Sequence, residues 1–131
     1  MEKIGIFGGS FNPPHLGHME AARYAIQALE LDKLLLIPSG RTPNKPISGG
    51  MATGAQRLEM LAIAAGERME VCSLEVDRGG ESYTWQTVRE LQQRYPGAEL
   101  ILLLGTDMFL KFPQWVDADK IAASVTLAAL R

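Results

Sequence analysis

The chain contains a single cysteine, Cys72, so no disulfide can form within it, and a reducing compartment is the simple expectation. No histidine is close to Cys72 in sequence, and Met69-Glu-Val-Cys72 reads as part of a buried strand rather than a nucleophile's setting. Long apolar runs are missing too: none approaches the ~20 residues that span a bilayer. The first residues pass directly into Lys3-Ile-Gly-Ile-Phe7, too short and too glycine-rich for a leader peptide, and the expectation is a cytoplasmic protein with no membrane partner. There is no basic excess, since 13 basic residues face 15 acidic ones for a net charge of -2. That argues against a dedicated nucleic-acid binder but not against a nucleotide ligand, for which a few placed donors suffice. Only two histidines occur, His15 and His18, fewer than the three or four ligands a zinc site normally needs. The GxGxxG dinucleotide fingerprint and the Gly-Lys-Ser/Thr phosphate loop are both absent, and with them the usual support for hydride transfer or P-loop chemistry.

What is present has a regular order. At 131 residues, 47% of them hydrophobic, the chain fits one domain, 1–131, with a real core. Residues 3–7 predict a strand ending at Gly8-Gly9. Residues 18–30 predict a helix, because Met19, Ala22, Ala25, Ile26 and Leu29 make one apolar face. Residues 33–37 predict a second strand stopped by Pro38, with no polar alternation, as expected where helices cover both sheet faces. A long Pro/Gly-rich loop covers 38–52, the kind usually either functional or disordered. Thr53 and Gln56 read as a capping box for a helix to about Ala65. A strand over 69–75, a helix capped by Thr84 with Val88, Leu91 and Tyr95 on one face, and a strand over 99–104 follow. A short helical turn over 108–113, a helix over 117–123 and a last strand over 124–130 complete the reading. Alternation of strand and helix predicts an α/β fold with a mainly parallel five-stranded sheet and helices on both faces. Ligands in such sheets sit beyond the strand carboxyl ends, where strand order reverses.

Two segments at that end look chemical. In Gly8-Gly9-Ser10-Phe11-Asn12-Pro13-Pro14-His15-Leu16-Gly17-His18, the first glycines leave backbone N–H groups free to face a phosphate. The following helix start directs further N–H groups and a positive dipole end to the same place. His15 and His18, three residues apart, can reach one side and donate to phosphate oxygens; the bland alternative is a Gly/Pro turn with two surface histidines. The second segment is Gly105-Thr106-Asp107, at the end of the 99–104 strand.

The run Gly5-Ile-Phe-Gly-Gly-Ser-Phe-Asn-Pro-Pro-His-Leu-Gly-His18 resembles the signature of the HxGH nucleotidyltransferases. Thr42-Pro43-Asn44-Lys45, Ser82-Tyr83-Thr84-Trp85-Gln86-Thr87, Gly105-Thr106-Asp107 and Trp115 match in order the family of bacterial nicotinate-nucleotide adenylyltransferases. The resemblance implies a Rossmann-like nucleotidyltransferase fold and transfer of the adenylyl group of ATP to nicotinate mononucleotide, releasing pyrophosphate, in NAD biosynthesis. It implies direct in-line attack without a covalent intermediate, and magnesium held through the phosphates rather than by protein ligands. His15 and His18 carry over as catalytic phosphate contacts, and Gly8, Gly9, Ser10 and Lys45 as the ATP- and phosphate-binding set. Thr84, Asp107 and Trp115 carry over to the mononucleotide. Each has a plainer alternative: a solvent-facing loop lysine at 45, a helix cap at 107, a packed core aromatic at 115. Trp85 reads as helix packing. Arg57 reads as a surface residue at least as readily as a phosphate contact, and Glu75, Asp77 and Arg78 as a charged strand exit. Asn44 stands where the family commonly has histidine; it can hydrogen-bond but carries no charge.

Family members continue for tens of residues past the equivalent of Arg131, through a Ser-rich segment that binds the triphosphate. The expectation is therefore a C-terminally incomplete domain, with self-association through apolar surface left open on the last strand. Competing readings are a nucleotide-binding or assembly module without catalysis, and an adenylyltransferase for nicotinamide mononucleotide or phosphopantetheine.

Overall fold

Runs of leucine and isoleucine with no polar alternation can be satisfied only where both faces of a strand are covered, and the three longest such runs form the middle of the sheet. The computed structural model describes residues 2–9, 11, 16–39, 54–78 and 83–130, with the backbone alone for Leu16, Thr106 and Asp107. The strands are β1 (Lys3–Gly9), β2 (Lys33–Pro38), β3 (Met69–Val71), β4 (Glu99–Gly105) and β5 (Thr126–Leu130), in the order β3-β2-β1-β4-β5 with every pairing parallel. The helices are α1 (Leu16–Ala28), α2 (Gly54–Ala64), α3 (Leu74–Arg78), α4 (Thr84–Arg94), α5 (Thr106–Lys111) and α6 (Ala118–Ser124), with a 3-10 turn over Phe112–Gln114. The five-stranded α/β reading is thus correct. No helix among the described residues is long and apolar enough to cross a membrane.

Side-chain alternation divides the core into two layers. Ile4, Ile6, Leu35, Ile37, Leu100, Leu102 and Leu104 face α3, α4 and α6 through Leu74, Val88, Leu91, Ala118 and Ile121. Leu34, Leu36, Ile101 and Leu103 face α1 and α2 through Met19, Ala22, Ala25, Ile26 and Leu61. The α1 face is the one its periodicity predicted. Cys72 is buried immediately after β3, its N–H donating to the Leu36 carbonyl at 2.8 Å. Trp85 packs against the first layer, in line with a helix-packing role.

Several boundaries differ from those read in the sequence. The third strand stops at Val71, and Leu74–Arg78 is helical. Ser73 begins a turn there, its hydroxyl bonded to the Asp77 carboxylate at 2.6 Å while its carbonyl accepts the Asp77 N–H. Acidic residues in that first turn also suit the helix dipole. Thr84 is the first residue of α4 rather than its cap; Tyr83 is the cap, and the Gln86 side chain accepts its N–H at 3.3 Å. The last strand begins at Thr126, because the Ser124 hydroxyl donates to the Lys120 carbonyl and closes α6. α1 starts at Leu16 rather than at His18, which puts His18 inside the first turn. Thr53, the expected cap of α2, lies outside the described residues.

Candidate active site

The strand order reverses between β1 and β4: β2 and β3 extend to one side of β1, β4 and β5 to the other. Pairing between β1 and β4 runs from Lys3↔Glu99 to Ile6↔Leu102 and goes no further. Each strand nevertheless continues for three residues. β1 stays paired with β2 up to Gly9↔Pro38, and β4 with β5 up to Gly105↔Leu130. The two central strands therefore part at their carboxyl ends, opening a crevice about 10 Å deep at ~3.3 Å per residue. A crevice at this topological position is where ligands of open parallel sheets bind.

Glycines line both lips. A Cβ on Gly8 would come no closer than 3.7 Å to the Ile37 carbonyl oxygen, one on Gly9 would meet the Phe11 ring at 3.6 Å, and one on Gly105 would meet nothing within 4 Å among the described residues. None of the three has a positive φ. Neither packing nor backbone conformation among the described residues requires glycine there.

His18 lies over the end of β1, half-buried. Its imidazole stands edge-on to Phe11 at 5.1 Å between ring centroids and to Phe7 at 6.4 Å, and the two phenylalanines pack edge-on to each other at 5.6 Å. Such contacts between rings stabilise by about 0.5–1.5 kcal/mol each, enough to hold the imidazole's orientation. Phe11 is 1% exposed although its φ is +46°. A bulky residue in the left-handed region is strained, and here burial of its ring compensates.

The parallel crossover puts the amino ends of α1, α2 and α4 at this same edge of the sheet. Thr84 opens α4 and is half-buried. Asp107 is the second residue of α5, directly after Gly105. Trp115 follows the 3-10 turn, half-buried against the first core layer with its ring 5.3 Å from Phe112. Its core-packing role is therefore real, and a part of its surface stays open. Gly8, Gly9 and His18 share one lip of the crevice; Gly105 and the start of α5 form the other. Ser10, His15 and Lys45 lie outside the described residues.

Two residues were read wrongly in the sequence. Arg57 is 5% exposed, in the first turn of α2, and burial lowers its pKa from the ordinary guanidinium value. The missed signal was helical spacing: Arg57 stands four residues before the fully buried Leu61, on the same stripe. Glu75 is not at a strand exit but in α3, accepting the Thr87 hydroxyl at 2.6 Å. Burial pushes its carboxyl pKa above the ordinary 4.5, while Thr87 and Arg78 pull the other way. Two surface hollows lie elsewhere, one beside Arg23, Gln27, Glu67 and Arg68, the other between α4 and α6 beside Trp85 and Lys120. Neither includes a residue of the crevice.

The cytidylyltransferase-like family matches residues 6–131. A probable nicotinate-nucleotide adenylyltransferase of Shouchella clausii is 42% identical over 98% of this chain and 68% of its own length. A protein of the same name from Gemmatimonas aurantiaca is 40% identical over 98% of the chain and 61% of its own length. Among solved structures, one from Vibrio parahaemolyticus named for the same activity superposes with a TM-score of 0.76 at 28% identity, covering 99% of this chain and 74% of that one. The nicotinic acid mononucleotide adenylyltransferase of Plasmodium falciparum, solved with NaAD, gives a TM-score of 0.83 at 16% identity over 98% and 64% of the two chains, a likeness of fold alone. The chain thus spans between about three-fifths and two-thirds of the length of the two curated relatives.

Proposed function

Because the chain belongs to the cytidylyltransferase-like nucleotidyltransferases and, within them, to the nicotinate-nucleotide adenylyltransferases, we propose that it transfers the adenylyl group of ATP to nicotinate mononucleotide in NAD biosynthesis. The crevice between β1 and β4, with bare backbone on both lips and an imidazole held over one of them, is the observation that carries this reading. It supplies what phosphoryl transfer needs from a protein: positioned donors around a group whose negative charge shifts during reaction.

In this reading the backbone at Gly8 and Gly9, with Ser10, cradles the ATP phosphates. His18 donates to a phosphate oxygen on the transferring phosphorus, and His15 supports it from the same turn. Lys45 neutralises charge on the departing pyrophosphate. The phosphate of the mononucleotide attacks the α-phosphorus in line; it is already a competent nucleophile, so no side chain need act as general base. Asp107 accepts from the ribose hydroxyls, the accessible part of Trp115 stacks on the pyridine ring, and Thr84 at the amino end of α4 meets the nicotinate carboxylate. That position suits an anion, because unsatisfied N–H groups and the dipole's positive end gather there. Magnesium, in this reading, arrives on the triphosphate rather than on protein ligands. When bound, the ion would relieve charge on the phosphate oxygens; no residue of the chain is assigned to it. Residues 1–131 act as one domain in this reading, and the protein works in the cytoplasm without nucleic acid.

A pyrophosphate-release assay with ATP, magnesium and each mononucleotide tests it, run on this chain and on the full-length gene product. Release with nicotinate mononucleotide well above that with nicotinamide mononucleotide is the expected result. Equal or reversed preference overturns the acceptor assignment. Binding without release from either protein favours a non-catalytic nucleotide module.

A further inference from the structure

Glu75 and Arg78 of α3 both make polar links to the first two turns of α4. The Thr87 hydroxyl, on a residue 2% exposed, donates to Glu75 Oε2 at 2.6 Å. Arg78 donates from Nη1 to Gln86 Oε1 at 3.4 Å and from Nη2 to Glu90 Oε2 at 3.1 Å. Gln86 Oε1 in turn accepts the Tyr83 N–H, fixing the residue that caps α4. The Arg78 pairs are exposed, and pairs of that kind contribute little. The Glu75–Thr87 pair is different. It is short, partly buried and made to a carboxylate that burial disfavours. A link between two helices built only for packing would be made more favourably from apolar side chains. A carboxylate accepting one hydroxyl instead fixes direction, since a hydrogen bond weakens steeply when misaligned whereas apolar packing tolerates rotation.

We propose that Glu75 is a positioning residue for the acceptor: through Thr87 it sets the rotation and depth of the first turn of α4, and so the placement of Thr84 at the site. This rests on the assignment of Thr84 to nicotinate recognition made above. Thr84 and Thr87 are three residues apart on the helix, so the two side chains lie close to one face and a tilt of the turn moves them together. The consequence is selective. The Glu75–Thr87 link joins α3 to α4 and involves no residue of β1 or of the segment after it, which would hold ATP.

The test compares the full-length protein with its Thr87→Val, Thr87→Ser and Glu75→Gln variants. Affinities for nicotinate mononucleotide, nicotinamide mononucleotide and ATP are measured by tryptophan fluorescence, alongside thermal melts. Thr87→Val keeps the volume and removes the donor; it should lower the preference for nicotinate over nicotinamide about tenfold, the order expected for one lost charge-assisted hydrogen bond, and leave ATP affinity within about twofold. Thr87→Ser restores the donor and should restore selectivity; Glu75→Gln keeps an acceptor and should retain most of it. If Thr87→Val weakens all three ligands in step with its melting temperature, or keeps both affinity and selectivity, the positioning role is wrong while the functional reading stands. If the unaltered protein binds neither mononucleotide, the functional reading fails and takes this inference with it.

Discussion

Gly5 and Gly8 stand three residues apart on the same strand, and packing requires only the first of them to be bare. A Cβ at Gly5 would lie 2.6 Å from Leu31 Cδ1 and 2.7 Å from Leu34 Cδ1, both on leucines with no exposed surface. At Gly8 the same atom would make only an ordinary contact, 3.7 Å from the Ile37 carbonyl oxygen. Packing in the core requires the first glycine and does not require the second. The contrast extends to the two ends of the sheet. At the amino end the backbone is closed tightly: Asp32 N–H to the Lys3 carbonyl, Lys3 N–H to Asp32 Oδ2, Glu99 N–H to the Glu2 carbonyl and Leu34 N–H to the Arg68 carbonyl, all at 2.7–2.8 Å. At the carboxyl end β1 and β4 part, and Met108 and Leu110 of α5 are 49% and 72% exposed. One end is tightly hydrogen-bonded and the other open, so, if the open end is the proposed site, substitutions at the two ends should separate into different readouts.

The hardest way to break this division is at His18. His18→Ala should reduce pyrophosphate release about 10²–10³-fold, as loss of one donor to a developing charge does, with only a small change in melting temperature; near-normal turnover would remove the imidazole from the chemistry. Next comes the glycine pair. Gly5→Ala should destabilise by about 1–3 kcal/mol through overpacking, lowering Tm by several degrees while the folded enzyme keeps its KM for ATP. Gly8→Ala should do the reverse, leaving Tm within a degree or two and raising the KM for ATP. If both variants lose stability alike, the two ends do not differ as described. A smaller effect is expected from Asp32→Ala, which deletes the acceptor for the Lys3 N–H; one such bond is worth about 1 kcal/mol, and thermal melts should show it with kinetics unchanged.

The smallest effect concerns pH. Burial raises the Glu75 pKa from 4.5, so the folded protein binds this proton more tightly than the unfolded one. The resulting stability is fully present below about pH 4.5 and is lost as pH rises through the raised folded value. Glu75→Gln cannot ionise, so its melting temperature relative to the parent should improve from pH 4 to pH 7. A difference that stays flat over that range would show that Thr87 and Arg78 cancel the burial cost.

Strand and helix identities were legible wherever the apolar pattern was long. Leu100–Leu104 has no partner but a doubly covered strand, and Met19, Ala22, Ala25 and Ile26 can share a face only in a helix. Short or polar elements were not legible. Residues 72–78 alternate loosely enough to extend a strand, and only the Ser73–Asp77 bond and the end of β2 pairing at Leu36 show why β3 stops. Glu75 and Arg57 were misread for a related reason. A charged side chain is usually solvated, and nothing local reveals that Thr87, twelve residues on, or the stripe beneath Leu61 will enclose it. The candidate site was legible as a motif, Gly8 to His18 and Gly105 to Asp107, and the relatives bear out the family that motif indicated.

Sequence by itself determined the class of fold and the family, because periodicity and an unusual run of Gly, Pro and His are local properties. Only the tertiary structure decided that β1 and β4 separate after Ile6 and Leu102, that Leu31 and Leu34 crowd Gly5 but nothing crowds Gly8 among the described residues, and that Glu75 reaches Thr87. Each of these depends on which strand or helix lies alongside, a consequence of packing between residues far apart in the chain that no local pattern encodes.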